Sequence, residues 1–322
     1  APTILQTAEA HEMLWNRKGE VALTVGLVLA GLAACTAAPP PETTAAATVA
    51  PTAALTVTPP ATPWVLVDAA VPDAVLEAAT GWASGERQGV EARDLGAVSG
   101  EPPAGLWAVL GLEENLSTLT EGWRRGTAFL VLDPSSLAAG ERTSTLGPGV
   151  AYDEAGFLAG IVAGLATRSE LIGVVPGAGE AGGWRTGFEQ GVRYSCPKCQ
   201  LEDVSDPGRP SFAMDVIGIP PQAEITPTAP AAAAPWLVVF EEAPAGWSEW
   251  VAARVRTAPE ALVGPALTRL AAGTAGEAWV FATADGGLAI EIERRAISPG
   301  RERLLREAEA RLAAGILVVG GD

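Results

Sequence analysis

Short continuous apolar runs recur from Trp64 onward and alternate with segments of helical periodicity. A parallel strand that is buried on both faces shows an unbroken apolar run, whereas an amphipathic helix repeats its apolar residues once per turn. The runs predict strands at 64–67, 107–110, 128–132, 171–175, 236–240, 279–281 and 316–319. The periodic segments predict helices at 154–168, 184–194, 247–256 and 300–314. Because the two kinds of segment alternate, we expect an α/β fold in which helices flank parallel sheets.

Acidic, amide and glycine residues follow several of the predicted strands. In open parallel sheets, ligands bind beyond the carboxyl ends of the strands. The candidate ligand-binding residues at these positions are Asp68, Glu113, Asn115, Asp133, Gly177, Gly179, Glu241 and Glu242. In the alternative interpretation, the acidic residues only cap helices or place charge in a first helical turn, where the helix dipole favours it.

The N-terminal segment has the features of a signal peptide. Arg17 and Lys18 precede a 14-residue apolar run at 21–34, which is too short to span a bilayer. The run ends in Leu-Ala-Ala-Cys35, which resembles the lipobox of bacterial lipoproteins, whose cysteine is lipidated and becomes the mature N-terminus. We therefore expect 1–34 to be a signal peptide, Cys35 to anchor the protein to the membrane by its lipid, and the rest to be extracytoplasmic. Met13 stands where a signal of ordinary length would begin, so residues 1–12 are interpreted as an upstream artefact of the choice of start site. The alternative is a secretory signal with an unrelated cysteine.

Two segments have compositions that cannot form a core. Residues 36–63 are almost entirely Ala, Thr and Pro, a composition that favours extended chain, so 35–63 is predicted as a tether. A second tract rich in Pro and Ala, 219–235, is predicted as a long loop inside the folded region.

Charge and histidine content exclude several function classes. The chain has 38 acidic and 21 basic residues, a formal net charge of −17, so we expect no nucleic-acid partner. Its one histidine, His11, lies in the predicted signal segment, which excludes a Ser-His-Asp triad from the folded region. We predict no catalytic residues and no cofactor. The adjacent carboxylates Glu241 and Glu242 leave glycoside chemistry formally open.

Cys196 and Cys199 form a single C-x-x-C motif. A structural zinc site needs four ligands, which a chain with one histidine and one further cysteine cannot supply, so no metal site is predicted. A local disulfide is expected outside the cytoplasm, with a redox-active pair as the alternative.

Two of the ten tryptophans are candidates for stacking on a flat ligand. Trp184 and Trp247 follow strand-end loops, where an aromatic ring could face a ligand. The alternative is that both rings pack in the core.

Several segments resemble the BMP (basic membrane protein) family. Residues 152–167, YDEAGFLAGIVAGLAT, resemble the family's aFLAGylAal-T helix. Residues 171–177 are similar to its iGfvgG strand and turn, and 187–191 to its GF-aG helix. Weaker similarities occur at 110–116, 129–133, 284–288 and 312–316.

This resemblance implies a substrate-binding lipoprotein of a bacterial ABC transporter that carries a purine nucleoside or a related solute. The implied fold is the two-lobed, type 1 periplasmic-binding-protein-like fold with a ligand cleft between the lobes. We expect a first lobe at 64–150, a second at 151–255, and a hinge return with the C-terminal part of the first lobe at 256–322. The implied partners are a small solute and ABC permease subunits. The alternative is a sensor or surface interaction lipoprotein of the same fold without a transport ligand.

The resemblance also gives an expectation for the G-x-G-x-x-G motif at 177–182. In a dinucleotide-binding fold this motif follows the first strand of a βαβ unit, but here it follows the fourth predicted strand. The resemblance instead makes it the first strand-to-helix loop of the second lobe.

The family's DD-SFNQ motif corresponds to 68–77, where Asp73 stands for one of the acids but the aromatic and the Asn are absent. The family's GVD-DQ motif corresponds to 238–242, which keeps an acid and lacks the glycine.

Overall fold

A computed structural model describes residues 64–123, 126–177, 182–208, 214–223 and 234–320. These residues form two six-stranded sheets. From edge to edge, the strands of the first sheet are β11 (Ala278–Phe281), β5 (Thr143–Val150), β4 (Ala128–Leu132), β3 (Leu106–Leu112), β1 (Trp64–Asp68) and β2 (Gly89–Arg93). Those of the second sheet are β12 (Leu288–Ile292), β10 (Val251–Thr257), β9 (Trp236–Phe240), β8 (Val216–Ile219), β6 (Leu171–Val174) and β7 (Gln200–Asp203). All neighbouring strands are parallel except β10 and β12, which pair antiparallel. The predicted α/β class is therefore confirmed.

The first lobe is built on the first sheet and three helices. Its strands are β1 (Trp64–Asp68), β2 (Gly89–Arg93), β3 (Leu106–Leu112), β4 (Ala128–Leu132), β5 (Thr143–Val150) and β11 (Ala278–Phe281). Its helices are α1 (Asp73–Gly85), α2 (Glu113–Gly122) and α5 (Pro259–Ala271). Most residues of the central strands β1, β3 and β4 are buried because helices cover the sheet.

The second lobe is built on the second sheet. Its strands are β6 (Leu171–Val174), β7 (Gln200–Asp203), β8 (Val216–Ile219), β9 (Trp236–Phe240), β10 (Val251–Thr257) and β12 (Leu288–Ile292). Its helices are α3 (Tyr152–Ala166), α4 (Gly182–Ser195) and α6 (Pro299–Ala313). Helix α3 is apolar nearly all round because it packs on three strands and on both other helices.

Helices α3 and α4 pack with their backbones in direct contact. A Cβ atom built at Gly160 would lie 2.1 Å from the carbonyl oxygen of Phe188, and one at Gly187 would lie 1.9 Å from that of Asp153. Real Cβ atoms essentially never approach other atoms so closely. Glycines recur every fourth residue on both helices, so each contact repeats one helical turn further along. The family-like segments of the sequence thus correspond to a helix pair that only glycine permits.

Two predicted elements are wrong. Residues 247–256 were predicted as a helix but form a short 3-10 turn followed by β10, which is held between β9 and β12. The partner strands decide this conformation, and the sequence periodicity of a short segment does not show them. Residues 316–319 were predicted as a strand but pair with no strand among the described residues. Their burial does alternate, with Ile316 and Val318 exposed.

The sheets also divide the C-terminal region differently from the predicted boundary. We expected 256–322 to return to the first lobe. Helix α5 and β11 do so, but β12 pairs with β10, and α6 packs on α3 of the second lobe. The antiparallel β12 pairs with β10, which would otherwise be an unpaired edge strand of the second sheet.

Three further predictions can be compared with the described residues. Cys196 and Cys199 are joined by a disulfide just after α4, as predicted. The predicted signal peptide and tether at 1–63, with Cys35, lie outside the described residues, as does most of the loop predicted at 219–235. Within the described ranges, no helix is both long and apolar enough to cross a membrane.

Candidate functional site

The carboxyl edges of the two sheets face each other. The chain passes between the lobes three times, after β5, after β10 and after β11. Each crossing leaves its sheet at the carboxyl end of a parallel strand. The third crossing enters the second sheet at β12, which is antiparallel to β10 and therefore begins at the edge where β10 ends. Short crossings at these ends require the two edges to be adjacent. The topology therefore places the strand-end residues of both lobes on either side of one crevice.

Hydrogen bonds tie the crossings to one another. The N–H of Ala151 donates to the carbonyl of Phe281 (3.0 Å), and the N–H of Ala258 donates to that of Gly287 (2.9 Å). In the first turn of α3, the Glu154 carboxylate accepts the N–H of Thr283 (2.7 Å). These three hydrogen bonds hold neighbouring crossings together.

A cavity of about 390 Å³ lies at this edge of the second lobe, within the size range of small-molecule sites. It is lined by Tyr152, residues 219–223 and residues 240–244. The Tyr152 ring packs edge-on against Phe240, with centroids 5.7 Å apart. Polar residues stand around this apolar lining, a combination typical of sites for small molecules that have both an apolar face and hydroxyl groups. We call it the Tyr152 cavity.

Glu241 and Glu242 have different surroundings in the Tyr152 cavity. The Glu241 carboxylate turns toward the hinge and accepts both the N–H and the hydroxyl of Thr257, each at 2.8 Å. Glu242 is exposed, and its carboxylate has no partner among the described residues. Of the two acids predicted here, Glu241 stabilises the start of a crossing and Glu242 is the one available to a ligand.

Of the five described non-glycine residues with left-handed backbone conformation, three lie on the facing edges. Asp133 (φ 46°), Gln222 (φ 56°) and Glu241 (φ 58°) each lie within a few residues of a strand end. This conformation is unfavourable for residues with a side chain and is often found at ligand-binding sites, where the surrounding structure holds it. In Gln222 it accompanies an exposed side-chain amide on the wall of the Tyr152 cavity.

On the first lobe, Asp68 and Asn115 form a buried pair. The side-chain amide of Asn115 donates to Oδ2 of Asp68 (2.7 Å), and the N–H of Ala70 donates to Oδ1 (3.1 Å). Asp68 is fully buried. A Cβ at Gly111 would lie 2.9 Å from the Asp68 Cβ, so this glycine leaves room for the pair. The structure brings these two predicted site residues together, but their polar atoms bind each other.

Glu113 holds the loop that follows β4. Its carboxylate accepts the hydroxyl and N–H groups of Ser135 and Ser136, and the N–H of Leu137 (3.0 Å). These bonds, those from Ser136 most strongly, lower the pKa of Glu113 to about 2. A carboxylate with this many donors stays ionised and is already satisfied. Glu113 thus orders the edge rather than offering a free acceptor.

Asp133 and Asp73 are exposed, and their carboxylates have no partner among the described residues. Asp133 follows β4 directly, whereas Asp73 is the first residue of α1, where the helix dipole favours a negative charge. Asp133 is therefore the first-lobe acid best placed to meet a ligand in the crevice.

The predicted stacking role of Trp184 is not supported by its position. Its ring is fully buried and stacks on Phe188, with centroids 4.8 Å apart and 17° between the planes. Gly218 of β8 lies against these rings, and a Cβ there would be 2.5 Å from the Phe188 ring. Its full burial favours the packing interpretation, although Trp184 also lines a cavity of about 330 Å³ with Gly177 and Pro220.

Trp247 is also fully buried and packs in the core of the second lobe. Its burial again favours packing over stacking on a ligand.

Gly177 follows β6 and is exposed, whereas Gly179 lies outside the described residues. Since β6 is the first strand of the second sheet in chain order, this loop has the place that the family resemblance implied.

Sequence reasoning missed the aromatic and amide residues of the Tyr152 cavity. Tyr152 comes two residues after β5, and Gln222 comes three residues after β8, but neither of these strands has an apolar run that predicted it. Phe240 is itself the last residue of a predicted strand. The available signal for Tyr152 was its position at the start of an apolar helix.

The fold is similar to that of solved binding proteins. An ABC transporter solute-binding protein from Conexibacter woesei has TM-score 0.52 and 15% identity, and the match covers 81% of this chain and 99% of that one. A transcriptional activator of the comK gene from Bacillus halodurans has TM-score 0.49 and 13% identity, with 79% and 99% covered. A solute-binding protein from Aeropyrum pernix has TM-score 0.47 and 13% identity, with 81% and 94% covered.

The first of these matches confirms the periplasmic-binding-protein-like fold. No protein-family model matches the chain, and neither does any curated protein. Membership of the BMP family therefore stays a prediction. The Conexibacter woesei protein is a solute-binding protein, and its similarity to this chain concerns the fold alone.

Proposed function

We propose that this protein is the extracytoplasmic solute-binding component of an ABC importer and holds a small polar molecule between its two lobes. The observation that carries the proposal is the Tyr152 cavity, which lies on the facing edge of the second sheet beside the crossings. Closure of the lobes would bring the exposed Asp133 of the first lobe toward this cavity. The similarity of fold to an ABC transporter solute-binding protein supports the same function.

The groups at the crevice disfavour an anionic ligand and suit one with several hydroxyl groups. Asp133 and Glu242 are acceptors that would repel an anion, and the carboxamide of Gln222 can both donate and accept. The Tyr152–Phe240 pair offers an apolar surface to a sugar or base. A nucleoside or a free sugar has both features, so the proposed ligand class is nucleoside-like.

Titration calorimetry with adenosine, guanosine and D-ribose tests this proposal. Glu242→Gln should weaken binding of the tightest of the three about 10-fold or more, because a hydrogen bond to a carboxylate contributes more than one to a neutral acceptor. Glu249→Gln is the matched control, since Glu249 is an exposed acid outside the Tyr152 cavity. Equal weakening in both variants would contradict the assignment of the cavity. If none of the probes binds and native mass spectrometry finds no co-purified molecule, the alternative of a sensor without a transport ligand is favoured.

The proposal includes a lipid anchor at Cys35 and ABC permease subunits as partners. Cys35→Ala should move the protein from the membrane fraction to the soluble fraction or leave an unprocessed precursor, because the thiol that carries the lipid is removed. Fractionation followed by mass spectrometry of the N-terminal peptide measures both outcomes. Changing Cys199 to Ala is the control, since that cysteine lies in the folded region. Identical fractionation and migration of Cys35→Ala and the parent would refute the anchor.

A further inference from the structure

Four arginines line one cavity at the base of the second lobe. The cavity has a volume of about 490 Å³ and is lined by Arg168, Arg294, Arg295, Arg301 and residues 296–298, with Ala166. Its lining includes no acidic residue, but the Asp215 carboxylate lies next to it and accepts the main-chain N–H of Arg168 (2.7 Å). In a chain with a formal net charge of −17, this is a local concentration of positive charge. We call it the arginine cavity.

The arginine cavity lies on the edge of the second sheet opposite the crevice. Arg168 comes three residues before β6 begins, and Arg294 comes two residues after β12 ends. Because β12 is antiparallel to β10, its last residue is at the edge where the parallel strands begin. None of the four arginines lines the Tyr152 cavity. A ligand here would therefore be distinct from the transported solute.

The positive charge of the arginine cavity is only partly neutralised within the protein. Arg301 donates to the carbonyl of Leu165 at the end of α3, and Arg295 approaches Glu293 at 3.8 Å, with 87% of its side chain exposed. The guanidinium groups of Arg168 and Arg294 have no partner within the described ranges. Like charges gathered without counter-charges repel each other, and a bound anion would remove that repulsion.

The start of α6 adds donors to the same place. Ser298 is the N-cap residue, and its side chain makes no capping hydrogen bond. Pro299, the first residue of α6, has no N–H, but the N–H groups of Gly300 and Arg301 have no acceptor within the helix, and the helix dipole adds partial positive charge. Guanidinium forks and helix N–H groups together suit an anion that presents several oxygens at once. A monocarboxylate has two oxygens, whereas a phosphate group has enough to bind several of these donors.

We propose that the arginine cavity binds the phosphate group of a small phosphorylated molecule or of a phospholipid head group. The volume exceeds what a single phosphate needs and lies in the range of small-molecule sites, so there is room for the group that carries the phosphate. Both sources present the same chemistry to the arginines. The proposal does not depend on the function assigned to the crevice.

Titration calorimetry of the full chain tests the proposal with two probes, inorganic phosphate and glycerophosphoglycerol, the deacylated head group of phosphatidylglycerol. Potassium chloride keeps the ionic strength constant. Arg294→Gln and Arg168→Gln should each weaken binding about 10-fold, because each removes a charge-assisted hydrogen bond. Arg193→Gln is the matched control, since Arg193 is exposed on α4 and does not line the cavity. Thermal unfolding confirms that the variants fold.

The outcomes separate the two sources. Phosphate binding that is weakened by Arg294→Gln and unchanged by Arg193→Gln supports a site for a free phosphorylated molecule. The same pattern with glycerophosphoglycerol alone supports a head-group site. Weakening of equal size in Arg193→Gln, or no binding of either probe at millimolar concentration, would overturn the proposal.

Discussion

Replacing Gly160 with alanine should lower the free energy of unfolding by about 3 kcal/mol or more, which is large for the addition of one methyl group. The new Cβ would lie 2.1 Å from the carbonyl oxygen of Phe188, and both atoms belong to helices whose backbones are in contact. Relief requires α3 and α4 to move apart. Because α3 also packs on the second sheet, that movement would loosen the packing of the lobe's core.

Gly81→Ala is the matched control for this prediction. Gly81 lies in α1, and a Cβ there meets nothing within 4 Å. Since alanine favours helix more than glycine does, Gly81→Ala should leave stability unchanged or raise it by about 0.5–1 kcal/mol. Urea unfolding of the two variants measures the difference. Equal effects would mean that the two helices do not pack as closely as described.

Truncating Trp184 to alanine should cost about 3–5 kcal/mol of stability, because it removes a fully buried indole that stacks on Phe188. Trp184→Phe should cost much less. It keeps an aromatic ring in the stack and removes a buried indole N–H that has no partner among the described residues.

Binding measurements on the same variants separate packing from ligand contact. If Trp184 only packs, the folded fraction of Trp184→Ala keeps the ligand affinity of the parent, and any loss of binding follows loss of folded protein. Chemical unfolding and calorimetry on one preparation give both quantities. A stably folded Trp184→Ala protein with weakened affinity would restore the stacking role that the sequence suggested.

The candidate site was predictable in location but not in detail. Strand ends are visible in the sequence, so Asp133 and Glu242 could be proposed from the apolar runs that precede them. The hydrogen bond between Asp68 and Asn115 joins residues 47 positions apart, and no local pattern reports such a pair. A carboxylate after a strand can therefore be free to bind a ligand or be hydrogen-bonded within the protein. The residues that lie near it in space decide which.

The amino-acid sequence by itself determined the α/β class, the buried central strands and the C-x-x-C disulfide, because apolar runs and short cysteine spacings act within one segment of the chain. Only the tertiary structure decided that 251–257 is a strand and that 256–322 is divided between the lobes. It likewise decided that Trp184 is enclosed by α4 and β8. These outcomes depend on which distant segments pack together, and the free energy of that packing outweighs the local preference of a short segment.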